Sequence, residues 1–318
     1  MATRYPSVDL RKIKTISIKK RKSKVRLQDF AKPFDPKTGT FKDFIDSLPK
    51  ILVADELREF VEHILISRRK KKPVILLIGA HVVKVGLSPL IIELMKENII
   101  TTVAMNSAAA IHDIEAALWG KTSEDVVENL ADGSFGMSKE SGDFINRTLS
   151  QATREPGVGY GEVLGRELLR VNARHGKLSI LATCYELRVP ATVHAAIGTD
   201  IVHQQPTMDG AATGEMSFRD FKILCHGVTG LVGGGVVMNW GSAVIMPEVF
   251  LKALTVARNL GFRAKGFVTG NFDMIQHYRP SVNVVYRPTL HGGKGYQFTG
   301  HHEIMIPLLT AMVKQRLR

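Results

Sequence analysis

Cysteine is almost absent from this chain of 318 residues: Cys184 and Cys225 are the only two, and no CxxC pair occurs. That excludes a disulfide scaffold and a cysteine-based zinc site, and it fits a reducing, cytoplasmic setting. Long apolar runs are missing too. None approaches the roughly 20 residues that span a bilayer, and the first residues are basic with no apolar stretch behind them, so neither a membrane span nor a secretory leader is expected. The histidines lack HxxxH or HExxH spacing. His194 and His203, with His226 beyond, are better read as satisfied core residues than as ligands, and no metal is expected.

Acidic charge is scarce at one end only. The formal net charge is +13, yet from Met1 to Arg26 ten Lys and Arg face the single Asp9, and Arg68 to Lys72 reads RRKKK. Those two stretches account for the whole excess, leaving the rest about neutral. A basic tail of this kind is read as a solvated or flexible arm, of the sort that sometimes touches phosphates or acidic partners. Aromatics do not interleave with the charges beyond Tyr5 and Phe30, so a nucleic-acid platform is disfavoured against a ligand-binding body. The expected organisation is a basic arm over 1–40 and a single domain over 41–318.

What is present is a succession of short apolar runs punctuated by glycine. Helical spacing from Phe41 to Ile66, broken at Pro49, predicts a kinked helix. VILLI, Val74 to Ile78, is bounded by Pro73 and Gly79 and reads as a strand buried on both faces. The loop GAHVVKVG, a helix from Ser88 to Asn98 and the strand ITTVAM complete a right-handed βαβ unit. Glu124 to Leu130 reads as helix, Ala131 to Gly161 as a long connection, and Glu162 to Arg174 as amphipathic helix. Val189 to Ile197 and Phe262 to Thr269 read as strands, Ser217 to His226 and Pro247 to Leu260 as helices. Val282 to Tyr286 and Gly295 to Thr299 are short strand candidates before a closing helix from Glu303 to Arg316. The pattern is α/β: one doubly wound, mostly parallel sheet with helices on both faces.

Four strand ends carry small or polar residues. NSAAAIHD follows the second strand; it either leaves room for a cofactor at the carboxyl edge or starts a helix with Asn106 or Ser107 as N-cap. Thr199 and Asp200 follow the strand to Ile197. TGLVGGGVVMNW, Thr229 to Trp240, holds Gly233, Gly234 and Gly235 inside an apolar run, as bare backbone beside a flat ligand or as a bulge. TGNFD offers Thr269, Gly270 and Asp273. A further glycine string, GVGYGEVLG, follows no apolar strand and is discounted as a nucleotide fingerprint.

The order of these motifs, from GAHVVKVG through AIGTD, GGGVV and TGNFD to IPLLTAM, resembles the deoxyhypusine synthase family from about Val74 to Val313. The resemblance implies a homotetramer of doubly wound domains binding NAD near subunit interfaces, oxidising spermidine and passing its aminobutyl group through an enzyme-lysine imine to a protein lysine. By position it implies Asn106, Ser107, Ala108, Asp200, Gly234, Thr269 and Asp273 at the cofactor, with Asp200 or Asp273 on ribose. His112 stands where the family has an acid.

The departures concern the chemistry. Tyr286, Arg287 and Pro288 occupy the place of the family's imine-forming lysine, and arginine cannot form that bond. Lys294 is the substitute candidate. Gln205, Asn239 and Ala243 replace polyamine-binding groups. The expectation is an NAD-dependent transferase or oxidoreductase acting on an amine or related small molecule, with His112 or His203 carrying the proton. The alternatives are a genuine deoxyhypusine or homospermidine synthase using Lys294, and a non-catalytic paralogue serving as an assembly or regulatory subunit.

Overall fold

A computed structural model describes residues 5–317, which divide into two compact units at Asp55 and Glu56. The described part of the first unit is mostly irregular chain, with 3-10 turns at Leu10–Lys12 and Leu27–Asp29 and the helix α1 (Phe41–Ser47). Thr40 opens α1: its hydroxyl accepts from the Asp43 amide, and the Asp43 carboxylate accepts from the Thr40 amide, a reciprocal capping box. Val8, Leu10, Ile13, Ile16 and Ile18 are all exposed.

The second unit is built on six parallel strands: β1 (Val74–Ile78), β2 (Thr102–Asn106), β3 (Ala191–His194), β4 (Val236–Trp240), β5 (Val268–Asp273) and β6 (Lys294–Thr299). Their spatial order is β3-β2-β1-β4-β5-β6. The order reverses between β1 and β4, the arrangement of two mononucleotide-binding halves joined back to back. Every residue of β1, β4 and β5 is buried, which is why those segments read as unbroken apolar runs or carry only short polar residues.

In chain order the helices are α2 (Leu52–Arg69), α3 (Ala80–Lys84), α4 (Ser88–Lys96), α5 (Ser107–Trp119), α6 (Val126–Asp132), α7 (Lys139–Ala152), α8 (Tyr160–Arg170), α9 (Ile180–Leu187), α10 (Gly210–Thr229), α11 (Ile245–Asn259), a short α12 (Arg287–Thr289) and α13 (His302–Gln315). One face of the sheet is sealed by α10 and α11, whose Leu224, Val228, Met246, Phe250 and Leu254 join Ile75, Leu77 and Val237 in a single cluster. On the other face α2 sets Phe60 among Phe272, Tyr296 and Phe298, with ring centroids 5.4–5.7 Å away.

Several sequence expectations are corrected. GAHVVKVG is the helix α3 rather than a loop, since Gly79 and the following residues continue straight from β1 into helix. The connection from Ala131 to Gly161 contains α7, whose buried Ile145 and Leu149 are one helical turn apart. The strand candidate Phe262–Thr269 shifts to Val268–Asp273, β5. Val282 to Tyr286 is no strand but part of a π-helical stretch, Pro280–Tyr286; burial of Val284 and Val285 there overrides their β-branched preference. The glycine string before α8 has a packing explanation: a Cβ on Gly161 would lie 2.3 Å from the Ala191 carbonyl oxygen, so α8 touches β3 through bare backbone.

Candidate functional site

A cavity of about 750 Å³ lies between α5 and the segments 121–141 and 199–201, the latter following β3, within the size of small-molecule and cofactor sites. Asn106 ends β2 and directly caps α5, its side-chain oxygen accepting from the Ala109 amide at 2.9 Å. One face of α5 then lines the cavity along its length, from Ala108 in the first turn through Ile111, His112 and Glu115 to Trp119. Ser107 donates to Asp200, which stands past the end of β3 and also lines the cavity. Burial raises the Asp200 carboxyl above the ordinary aspartate range, while the Ser107 hydroxyl and nearby His203 pull it back.

Deeper in the wall lies a four-residue chain. His112 Nδ1 is 2.6 Å from Thr122 Oγ1, which donates to Glu115 Oε2 at 2.5 Å, and Ser141 donates to Glu115 Oε1 at 2.8 Å. His112 and Glu115 share a helix face because they are three residues apart on α5, and their side chains are 17 % and 12 % exposed. Burial lowers the His112 pKa, Glu115 opposes that shift, and Lys84 reinforces it, so the surroundings favour the neutral ring. Glu124, Glu140, Lys121 and Lys84 add further charge to the wall, carboxylates outnumbering ammonium groups. The segment 120–136 covers this wall. None of the residues of its helix, α6, is buried, and it is tied down by Gln204 and Gln205 donating to the carbonyls of Phe135 and Gly136, each at 2.6 Å.

Asn106, Ser107, Ala108, His112 and Asp200 are thus brought together, and the other expected residues are not. Gly234 is at the amino edge: the three glycines precede β4, and Val236 pairs with Val74, the first residue of β1. All three have positive φ, from +69° to +139°, and a Cβ on Gly235 would lie 2.9 Å from the Pro73 carbonyl oxygen. The need for bare backbone was legible there, but the cause is a tight entry into β4. Thr269 is the second residue of β5, buried at the same amino end.

Lys294 also opens its strand at the amino edge, pairing with Val268. Its ammonium lies 2.5 Å from Glu59 and 4.8 Å from the Tyr296 ring centroid, at the opposite edge of the sheet from the cavity. Asp273 does reach the carboxyl edge, but on β5, three strand intervals from β2, about 14 Å by sheet spacing alone. Its carboxylate accepts from the Met274 amide. His203 is shut in: its Nδ1 accepts from the Gly198 and Asp200 amides at 3.2 Å, and its side chain is 4 % exposed.

Sequence reading missed Glu115, Thr122, Ser141 and Lys84. Only Glu115 left a signal, its spacing from His112. The contacts of Thr122 and Ser141 depend on chain folding back over α5. Two buried acids that do not line the cavity are structural. Asp113 accepts from Ser179 Oγ and from the Ile180 and Leu181 amides at the start of α9. Asp220 accepts from the Gly161 and Val193 amides, tying α8 to β3. Among the described residues no group of three or more His, Cys, Asp or Glu is placed to hold a metal ion, and no helix is long and apolar enough to cross a membrane.

The strand order, parallel throughout, places the chain in the class of doubly wound, Rossmann-like α/β folds. Solved structures bear this out. A putative LOR/SDH protein from Methanococcus maripaludis S2 matches with TM-score 0.54 at 13% identity, over 83% of this chain and 70% of that one. AgrE, in a ternary complex with ornithine and NAD+, matches with TM-score 0.52 at 13% identity over 82% of this chain, which spans only 33% of AgrE. A putative deoxyhypusine synthase from Entamoeba histolytica matches with TM-score 0.50 at 10% identity, over 90% of this chain and 97% of that one. At such identities the likeness establishes the fold. No family model and no curated protein matches the chain.

Proposed function

We propose that this protein is an NAD-dependent oxidoreductase or transferase acting on a small amine, with the cavity at the β2 and β3 tips as its active site. The observation that carries the reading is the joint placement of the Ala108 face of α5, the Asp200 carboxylate and the His112 imidazole around one cavity of about 750 Å³. The donor set fits a dinucleotide. Backbone amides at the start of a thirteen-residue helix suit phosphate oxygens, the small Ala108 side chain allows close approach, and Asp200 accepts from ribose hydroxyls. NAD, when bound, supplies a hydride acceptor. The protein supplies orientation and proton transfer, with His112 beside the substrate.

An amine suits the excess of carboxylates in the wall, Asp200, Glu115, Glu124 and Glu140 against Lys84 and Lys121. The neighbour AgrE, solved with both ornithine and NAD+, supports the same pairing. The place of the cavity beside the switch point, rather than in it, has a structural reason. Gly79 N donates to the Trp240 carbonyl at 3.0 Å, and a Cβ on Gly79 would lie 2.2 Å from the Gly241 oxygen, so the exits of β1 and β4 touch. Assembly as a homotetramer belongs to this reading as well.

Isothermal titration calorimetry with NAD tests it. Micromolar binding that weakens in Asp200→Asn is expected; absence of binding by the parent protein overturns the reading. A genuine deoxyhypusine synthase would require Lys294, and borohydride trapping of an imine that survives Lys294→Ala would dismiss that alternative. The paralogue reading predicts co-purification with a catalytic relative and no turnover of any amine alone.

A further inference from the structure

The hydroxyl of Thr122 has one proton and two close neighbours, and this fixes the ring state of His112. Glu115 accepts at both carboxylate oxygens, from Thr122 on one and Ser141 on the other. With its proton directed to Glu115, Thr122 can meet His112 Nδ1 at 2.6 Å only as an acceptor, so Nδ1 must carry the imidazole proton. Direct contact does not explain the arrangement, since His112 Nδ1 and Glu115 Oε2 are 3.9 Å apart. Nε2 is then the unprotonated nitrogen, with no hydrogen-bond partner among the described residues, in a ring that lines the cavity.

We infer that Thr122 and Glu115 are positioning residues that hold His112 as the Nδ1–H tautomer, so that Nε2 accepts a proton from an ammonium group bound in the cavity. In this step the substrate N–H bond breaks, its electron pair stays on nitrogen, and the proton passes to Nε2 to give an imidazolium and a neutral amine. The imidazolium is held by Glu115 through Thr122, while Lys84 on α3 opposes it. Glu124 and Lys121, preceding α6, and Glu140 on α7 complete the charges in the same wall. The substrate class rests on the amine reading proposed above; the tautomer does not.

Thr122 lies in the segment that leads into α6, which buries nothing. Ring state and the seating of that segment are therefore linked through one hydroxyl.

The tautomer is read directly by long-range 15N–1H correlation of the His112 ring in the full-length protein at pH 7.5. The expected pattern is a protonated Nδ1 and a bare Nε2 in the parent and in Thr122→Ser, with loss of that preference in Thr122→Val. Glu115→Gln, which can donate to Thr122, should reverse it. A parent protein with protonated Nε2, or a Thr122→Val ring unchanged from the parent, overturns the relay. In turnover of a primary amine with NAD, Thr122→Val should lower kcat by about 100-fold, as loss of a general base does, with KM within about twofold and recovery in Thr122→Ser. The expected tautomer without turnover of any amine would refute the ammonium as proton donor and leave the relay standing.

Discussion

The two halves of the sheet end differently at the carboxyl edge. Past β2 and β3 the chain leaves carboxylates and an imidazole facing a cavity. Past β4 and β5 it closes on itself through amides: Asn239 donates to Asn271 at 2.7 Å and to the Ser242 carbonyl at 3.0 Å, Asn271 donates to Gln276, and Gln276 reaches Phe298 and Thr299 on β6. An amide carries donor and acceptor together, so a row of them can link strands without charge, although Asn239 Oδ1 is left buried without a partner among the described residues. A carboxylate accepts only, and must find donors elsewhere or in a ligand. The same topological edge carries a row of amides with the Asp273 carboxylate at its rim in one half, and a cavity lined by several carboxylates in the other.

The sharpest way to break the contrast is to remove the acceptor that anchors the open half. Asp220→Leu strands the buried Gly161 and Val193 amides and should cost about 3 kcal/mol or more in chemical denaturation. Next, Asn271→Leu interrupts the amide row and should lower stability by about 1–3 kcal/mol, with NAD affinity in calorimetry unchanged if the closed half takes no part in binding. Asp200→Asn should do the reverse, weakening NAD by about tenfold, roughly 1.4 kcal/mol, while its melting temperature stays near the parent value.

A smaller effect is a pH dependence. Burial raises Asp220 to about 8 in the folded protein from a reference of 3.8, so its contribution to stability is complete below that reference and is lost as pH rises through 8. The lowered histidines His112, His194 and His302 act oppositely, but their contribution is complete once pH exceeds the unfolded histidine range near 6.5. From pH 7 to 8 the denaturation free energy should therefore fall by about 1 kcal/mol, and Asp220→Asn should flatten that fall. The least effect is expected of Lys294→Met, because the ammonium and its partner Glu59 are both largely solvated. It should change stability by less than about 1 kcal/mol and leave NAD binding and amine turnover untouched.

The fold was legible because buried parallel strands announce themselves: VILLI is β1 residue for residue, and ITTVAM differs from β2 only at its ends. Glycine was the weaker guide. The three glycines from Gly233 to Gly235 signal a backbone constraint but not at which end of a strand it falls, and they proved to precede β4. Asn106, Ser107 and Asp200 were legible as polar tips; that only the β2 and β3 tips would share a cavity was not, since it depends on strand order. Thr122 was invisible for another reason. Its role comes from chain crossing back over α5 after a left-handed Gly120, and no local pattern encodes where such a crossing lands.

The position of β1 has a bearing on how the chain is made. It lies between β2, which follows soon after, and β4, which begins only at Val236. During synthesis one side of this wholly apolar strand stays bare until most of the polypeptide has left the ribosome, an open template for pairing with neighbours. A nascent chain halted before Val236 would be sticky where a finished one is sealed, which makes late translation the hazardous interval of its biogenesis.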